Sequence, residues 1–395
     1  MRRLSATYIF DGLGQFYKNG ILELDDNNAV VSLTDTHGEI KETPFLEHYS
    51  GILTPGFINA HCHLELSYLK GKLDKTKNLS GFVRQMLQKR GIEKNNVHDE
   101  IEKADREMQA NGIVACGDIS NTSDSFSVKS KSKLKYYTFI ELLGYHKEKV
   151  EELVNSSEKL QALCSELFLP SSVVPHAAYS VIPELMEKIS EISQESGSVW
   201  SVHNQESIEE NAVFDQDKMA ELAEILSKVG LNKDSFGSAY KNSFDYLADK
   251  LPAKNNILFI HNVFTRQSDI LTAKQKFINY YWVFCPKSNL YISNRLPDIT
   301  LFNNEKERIC LGTDSLASNT ELSILEEMKT IQQYFPEIVL GDLLTWATFN
   351  GAKAIRMDKE LGSFEKGKKP GVNLVYDLDL RNMKFNSDSK VKVFV

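Results

Sequence analysis

The chain predicts an α/β fold: a (β/α)8 barrel over residues 55–360, joined to a small discontinuous β-sandwich domain made from residues 1–54 and 361–395. Three observations predict it. Eight short apolar segments alternate with longer stretches that each have room for a helix, the rhythm of a parallel sheet built from βα units. Both ends of the chain are instead strand-rich and turn-rich. Polar residues that are costly to bury stand at the ends of the apolar segments.

At the start, Thr7–Phe10, Ile21–Leu24 and Ala29–Leu33 read as strands, with turn chemistry at Asp11-Gly12 and Asp25–Asn28. The barrel strands are placed at 56–61, 112–118, 135–143, 172–176, 199–203, 256–261, 279–285 and 308–313. Between them, Asp99–Ala110, Glu148–Glu166, Pro183–Glu195 and Ser323–Gln333 carry helical patterning. Asn204–Asn255 is longer than one helix needs, which predicts extra helices or a lid. After the turn at Lys366–Gly371, Val372–Tyr376 and Val391–Val395 return to strand patterning. A doubly wound open sheet is the competing fold, but no GxGxxG follows any early strand.

Composition excludes several classes. With 395 residues, 42% hydrophobic and 25% charged, the chain is an ordinary globular one. A net charge of −8 opposes a general nucleic-acid or anionic-membrane surface. No run approaches the roughly 20 apolar residues of a membrane span. Met1–Thr7 starts basic without an apolar signal core, so a cytoplasmic protein is expected. The five cysteines form no CxxC pair and read as buried reduced thiols.

His61 and His63 close the first barrel segment. In a strand, residues two apart share a face, roughly 6–7 Å apart, so two imidazoles can converge on one metal while Cys62 turns away into a structural role. Glu141, His176, His203, His261 and Asp314 stand at the ends of later segments, and parallel barrels build their sites at those ends. The remaining histidines, His37, His48, His98 and His146, fall in turns or polar stretches. Any one rim histidine reads equally well as a hydrogen-bonded core residue. Five together with an aspartate do not, because burying them costs several kcal/mol each unless they pair or bind metal.

Several motifs then resemble the amidohydrolase superfamily, in particular its chlorohydrolase, cytosine deaminase and adenosine-type deaminase branch. They are Leu53–Glu65 with His61-Cys62-His63, Pro175-His176-Ala177-Ala178-Tyr179-Ser180, and Ser201-Val202-His203-Asn204-Gln205-Glu206-Ser207. Ile260-His261-Asn262, Cys285-Pro286-Lys287-Ser288-Asn289, Leu311-Gly312-Thr313-Asp314-Ser315 and Ala347–Ala352 follow in the same order as in that superfamily. The His61–Ser67 and His203–Ser207 stretches look most like aminodeoxyfutalosine deaminases. Two departures stand out. The Gly-Lys-Ala-Asp signature is here Gly367-Lys368-Lys369-Pro370, and the fourth strand carries no lysine to bridge two metals.

The resemblance implies a TIM barrel holding one divalent metal, Zn²⁺ or alternatively Fe²⁺, on His61, His63, His203 and Asp314. It implies a metal-dependent hydrolytic deaminase of a purine-like or nucleoside-like compound, in which a metal-activated hydroxide attacks the ring carbon. Asp314 takes the proton from water, His261 hydrogen-bonds the attacking oxygen, and Glu206 shuttles a proton to the ring nitrogen. The bland alternative for Glu206 is a solvated glutamate beside Glu209 and Glu210. Glu65 and His176 are expected to contact substrate, while Glu141, Ser288 and Asn289 support from behind. A homodimer follows from family habit. Dechlorination or amide hydrolysis on the same scaffold, and a non-catalytic assembly protein, are the competing functions.

Overall fold

The computed structural model describes residues 1–39, 44–89, 96–193, 198–215, 221–236 and 239–394. In chain order its strands are β1 (Arg2–Phe10), β2 (Phe16–Lys18), β3 (Ile21–Leu24), β4 (Val30–Thr34) and β5 (Leu46–Pro55). β6 (Phe57–Cys62), β7 (Ile113–Ser120), β8 (Lys135–Leu142), β9 (Ser171–Pro175), β10 (Val199–Asn204), β11 (Asn256–His261), β12 (Asn279–Phe284) and β13 (Ile309–Leu311) follow. β14 (Val372–Tyr376) and β15 (Lys390–Val393) end the series.

The eight strands β6 to β13 coincide with the eight predicted apolar segments. They pair as two parallel four-stranded sheets, β6-β7-β8-β9 and β10-β11-β12-β13. Their edges approach at two seams. At one, the His203 amide donates to the His176 carbonyl at 2.9 Å. At the other, the Thr313 and Asp314 amides both donate to the His61 carbonyl at 3.0 Å. Asn59 secures the second seam, its amide nitrogen 2.8 Å from Thr313 Oγ1 and its oxygen accepting the Thr313 amide. Ile58, Ala60, Phe139, Val174, Leu258, Ile260 and Val283 pack together on one face of these strands. Phe57, Cys62, Ile140, Val202, Phe259 and Trp282 pack with the helices on the other. Burial on both faces explains the near-continuous apolar runs.

The helices Val97–Ala110, Val150–Glu166, Pro183–Ile192 and Ile324–Tyr334 match the predicted ones. Gln194 and Glu195, at the end of the third prediction, and Val395, at the end of the last predicted strand, lie outside the described residues. The long 204–255 stretch does hold extra helices, Ile208–Val213, Glu221–Ser227 and Ser243–Lys250. Gly351 opens a helix that crosses under β6. A Cβ there would sit 2.8 Å from the Ile58 Cβ, so only glycine permits the approach.

The terminal strands form one seven-stranded sheet, in the order β15-β14-β5-β1-β3-β4 with β2 also on β1. Pairing among the described residues links all seven strands through β1. Its first residues pair with β3, its last with β2, and its register against β5 shifts between Ala6 and Tyr8, so one long strand joins both halves. The two termini meet where β14 pairs antiparallel with β5. The Gly56 amide, one residue before β6, then donates to the Pro370 carbonyl at 3.0 Å.

Candidate active site

Parallel strands point their C-terminal ends the same way, so the residues that close β6, β9, β10, β11 and β13 meet on one rim. For His61 a second device is needed. Between the pairs Asn59↔Cys116 and Cys62↔Asp118, β6 uses three residues against two of β7. This bulge breaks the alternation that would place His61 with Phe57, away from Ile58 and Ala60. His61 turns toward the rim, and Cys62 turns outward to pack with Phe57 and Leu64. Gln205, His261, Asn262 and Asp314 adopt φ of 47°, 75°, 59° and 56°, left-handed backbone at non-glycine residues, which is a recurrent mark of functional sites.

The side chains converge. Ligand atoms of His61, His63 and Asp314 lie within 4.8 Å of one another, as do those of His61, His203 and His261. His63 Nε2 is 3.2 Å from His203 Nε2. Asp314 Oδ1 is 3.8 Å from His61 Nε2 and 3.6 Å from His63 Nε2. Both ring nitrogens of His61 are buried with no hydrogen-bond partner among the described residues. A buried donor or acceptor left bare is costly, and a metal on one of those nitrogens removes much of that cost. His203 Nδ1 donates to the His176 carbonyl at 2.8 Å, which leaves its Nε2 lone pair toward the cluster.

Electrostatics agree with that arrangement. Burial, then the neighbouring imidazoles, pushes His61 well below the usual histidine range, and burial lowers His203 as well, so both rings are neutral. Burial alone would raise Asp314. The His63 and His261 rings and the Ser288 hydroxyl outweigh it and leave the carboxylate lowered. Ser288 and Ser318 donate to its Oδ2 at 2.5 and 2.8 Å. Imidazoles plus one ionised carboxylate fit a divalent metal.

Glu206 lies beside this cluster, its Oε1 3.6 Å from His261 Nε2. That oxygen is buried without a hydrogen-bond partner among the described residues. Burial, then the charges of Asp314 and Glu210, drives its carboxyl well above the usual range. A solvated glutamate at a helix start is therefore not what stands here. Glu210 is buried too, its carboxylate accepting the Gln205 and Glu206 amides at 2.9 and 3.0 Å.

A cavity of about 500 Å³ opens over the rim, with His63, Glu141, His176, His203, Glu206, His261 and Asp314 on its floor. Much of its wall is apolar, Leu79, Phe82, Val83 and Met86 from the helix Leu79–Lys89 with Leu153, Leu226 and Val229, while His146 and Lys149 also line it. His176 faces the cavity as expected, but Glu65 is not among the lining residues. Its carboxylate instead accepts the Asn121 and Thr122 amides at 3.0 and 3.1 Å, and burial raises it to about 7. Glu65 thereby braces the loop after β7. Ser288 and Asn289 stand behind Asp314 and His261, whereas Glu141 reaches the cavity itself, 3.6 Å from His203 Nδ1. The only sequence signal for that position was a glutamate closing an apolar strand.

The family model described as the amidohydrolase family matches residues 52–394. The chain belongs to the amidohydrolase family. It is similar to an adenosine deaminase of Helicobacter pylori, 28% identical over 371 residues that cover 93% of this chain and 87% of that protein. Among solved structures it resembles the aminofutalosine deaminase of Helicobacter pylori in complex with methylthio-coformycin, at a TM-score of 0.82 and 24% identity. That match covers 100% of this chain and 98% of the other. An adenosine deaminase from Xanthomonas campestris with bound zinc aligns at a TM-score of 0.73 and 19% identity, covering 96% and 85%. The fold is the amidohydrolase α/β barrel type. Among the described residues, no helix is long and apolar enough to cross a membrane.

Proposed function

We propose that the chain is a metal-dependent hydrolytic deaminase of an amino-substituted heterocycle, purine-like or nucleoside-like, carried by residues 55–360 with the terminal sheet as support. One observation carries this reading. A buried carboxyl, Glu206, its Oε1 3.6 Å from His261 Nε2 and pushed by burial well above the usual range, shares a cavity floor with His63, His203, His261 and Asp314. His61, His63, His203 and Asp314 would hold one divalent metal, and that donor set suits Zn²⁺ best, with Fe²⁺ as the alternative. When bound, such a metal lowers the pKa of water from about 16 to about 7. β9 has no lysine, which favours a single ion.

The chain's own groups manage the protons. Asp314 keeps Oδ1 toward the imidazoles while serine hydroxyls occupy Oδ2, so Oδ1 receives the proton from water. A ring amine leaves poorly until the ring nitrogen is protonated. Glu206 supplies that proton, the ring carbon takes up the oxygen of water, one water proton passes through Asp314 to the amine, and the other returns to Glu206 as the carbonyl forms and the carbon–nitrogen bond breaks. Water and the ring amine thus become a ring carbonyl and ammonia. The apolar wall holds the part of the substrate away from the reacting ring. An aminofutalosine-type nucleoside fits that division and the resemblance to the aminofutalosine deaminase fold.

Ammonia release screened across adenosine, guanine, cytosine and aminofutalosine-type compounds tests the reading. Glu206→Gln should cut turnover by about a hundredfold or more with metal content intact, and His61→Ala should lose metal and activity together. Near-normal ammonia release by Glu206→Gln would move chloride or amide hydrolysis ahead. Protein grown with ample zinc and iron yet holding less than about half an equivalent of metal would favour an assembly role.

A further inference from the structure

We propose that Asn289 is a positioning residue that fixes His261 as a hydrogen-bond donor at the site and so keeps it out of the metal's ligand set. Two adjacent imidazoles on the rim, 5.5 Å apart by ring centroids, are backed by opposite partners. Behind His203 Nδ1 stands a carbonyl at 2.8 Å. A carbonyl only accepts, so the proton sits on Nδ1 and the Nε2 lone pair is free for a metal. Behind His261 Nδ1 stands the side-chain amide nitrogen of Asn289 at 3.0 Å. That nitrogen only donates, so His261 Nδ1 keeps its lone pair and the proton sits on Nε2.

Nε2 is the nitrogen that faces the site, 3.6 Å from Glu206 Oε1. An imidazole whose Nδ1 accepts a hydrogen bond carries its one proton on Nε2. A protonated Nε2 cannot bind a metal, although His261 lies as close to His61 and His203 as a ligand would. Proximity alone does not separate ligand from donor here; the atom behind each ring does. Asn289 is fully buried on the helix Pro286–Ile292, its backbone amide bonded to the Cys285 carbonyl, and His261 is buried at a left-handed backbone position. The use of the donated proton, toward the oxygen that attacks the ring carbon, rests on the deaminase reading; the tautomer does not.

The test is the ¹⁵N spectrum of full-length, zinc-loaded protein labelled at histidine, with the His261 signals assigned by their loss in His261→Gln. The expected result is a bare Nδ1 and a protonated Nε2. In Asn289→Asp the carboxylate can only accept, so the proton should move to Nδ1, and Asn289→Ala should give both tautomers. A wild-type His261 protonated on Nδ1, or an Asn289→Asp spectrum unchanged from wild type, overturns the proposal. The wild-type spectrum decides alone if a variant does not fold. No substrate is needed, so failure to deaminate any compound would sink the functional reading and leave this measurement standing.

Discussion

At the scale of single residues, the site depends on carboxyl groups held by backbone amides. Glu210 is the clearest case. Its two oxygens accept consecutive amides, Gln205 and Glu206, in a turn where Gln205 is left-handed. Burial raises it to about 7 against the pull of those two bonds. Glu210→Gln places an NH₂ group against one of the amides, leaving a buried donor unmatched at a cost of about 1–3 kcal/mol. Urea unfolding should show that loss, and turnover should fall because Glu206 loses its fixed position. Glu206→Gln should leave the urea midpoint nearly unchanged. Equal midpoints for Glu210→Gln and wild type would remove Glu210 from the argument. The histidines and Asp314 were legible in sequence because ionisable groups at the ends of apolar strands are costly without a purpose. The bonds of Glu65 to the amides of Asn121 and Thr122 were not legible, because those partners lie over fifty residues away and belong to the backbone, which no side-chain pattern reveals.

Elements add constraints of their own. Lys129, at the start of the polar run Lys129-Ser130-Lys131-Ser132-Lys133, is buried and pairs with the equally buried Asp118 near the end of β7. Lys129 also donates to Ser120 Oγ at 2.8 Å, and Asp118 accepts the Leu64 amide at 2.7 Å. The pair therefore anchors the turn that follows His63. Lys129→Met strands a buried carboxylate, and we expect it to destabilise the protein by about 3–5 kcal/mol. Adding Asp118→Asn should recover most of that, since a neutral amide can stay buried. A denaturant series on the single and double variants measures it; equal midpoints for both would mean that the charge pair is not what holds the turn. The strands were legible because apolar runs of the right length, separated by helix-sized gaps, have few other solutions. The bulge in β6 was not, since one extra residue against β7 leaves no compositional trace. The helix Leu79–Lys89 escaped for another reason: its apolar side faces the cavity rather than packed protein.

Across the whole molecule, the proposed metal ligands come from both four-stranded sheets. His61 and His63 close β6 in one; His203 lies on β10 and Asp314 follows β13 in the other. Both seams, β6 to β13 and β9 to β10, thus end at the same cluster, and few backbone bonds cross them. The terminal sheet braces the opposite side through Gly56 and Pro370, where the β5–β14 pairing ends, a backbone tie that leaves no side-chain pattern in the sequence. A metal binding the folded chain alone stabilises it by about 4 kcal/mol at a thousandfold excess over Kd. Chelation should therefore lower the melting temperature by several degrees, and it should loosen the seams first. Hydrogen exchange at the Thr313, Asp314 and His203 amides, which close the two seams, should quicken more than exchange at the β11–β12 ladder amides. The β11–β12 pair lies inside one sheet and carries no ligand from the proposed set on its shared ladder. Uniform acceleration would mean that the metal stabilises the fold as a whole, and an unchanged melting temperature would mean that the cluster does not join the sheets through an ion at all.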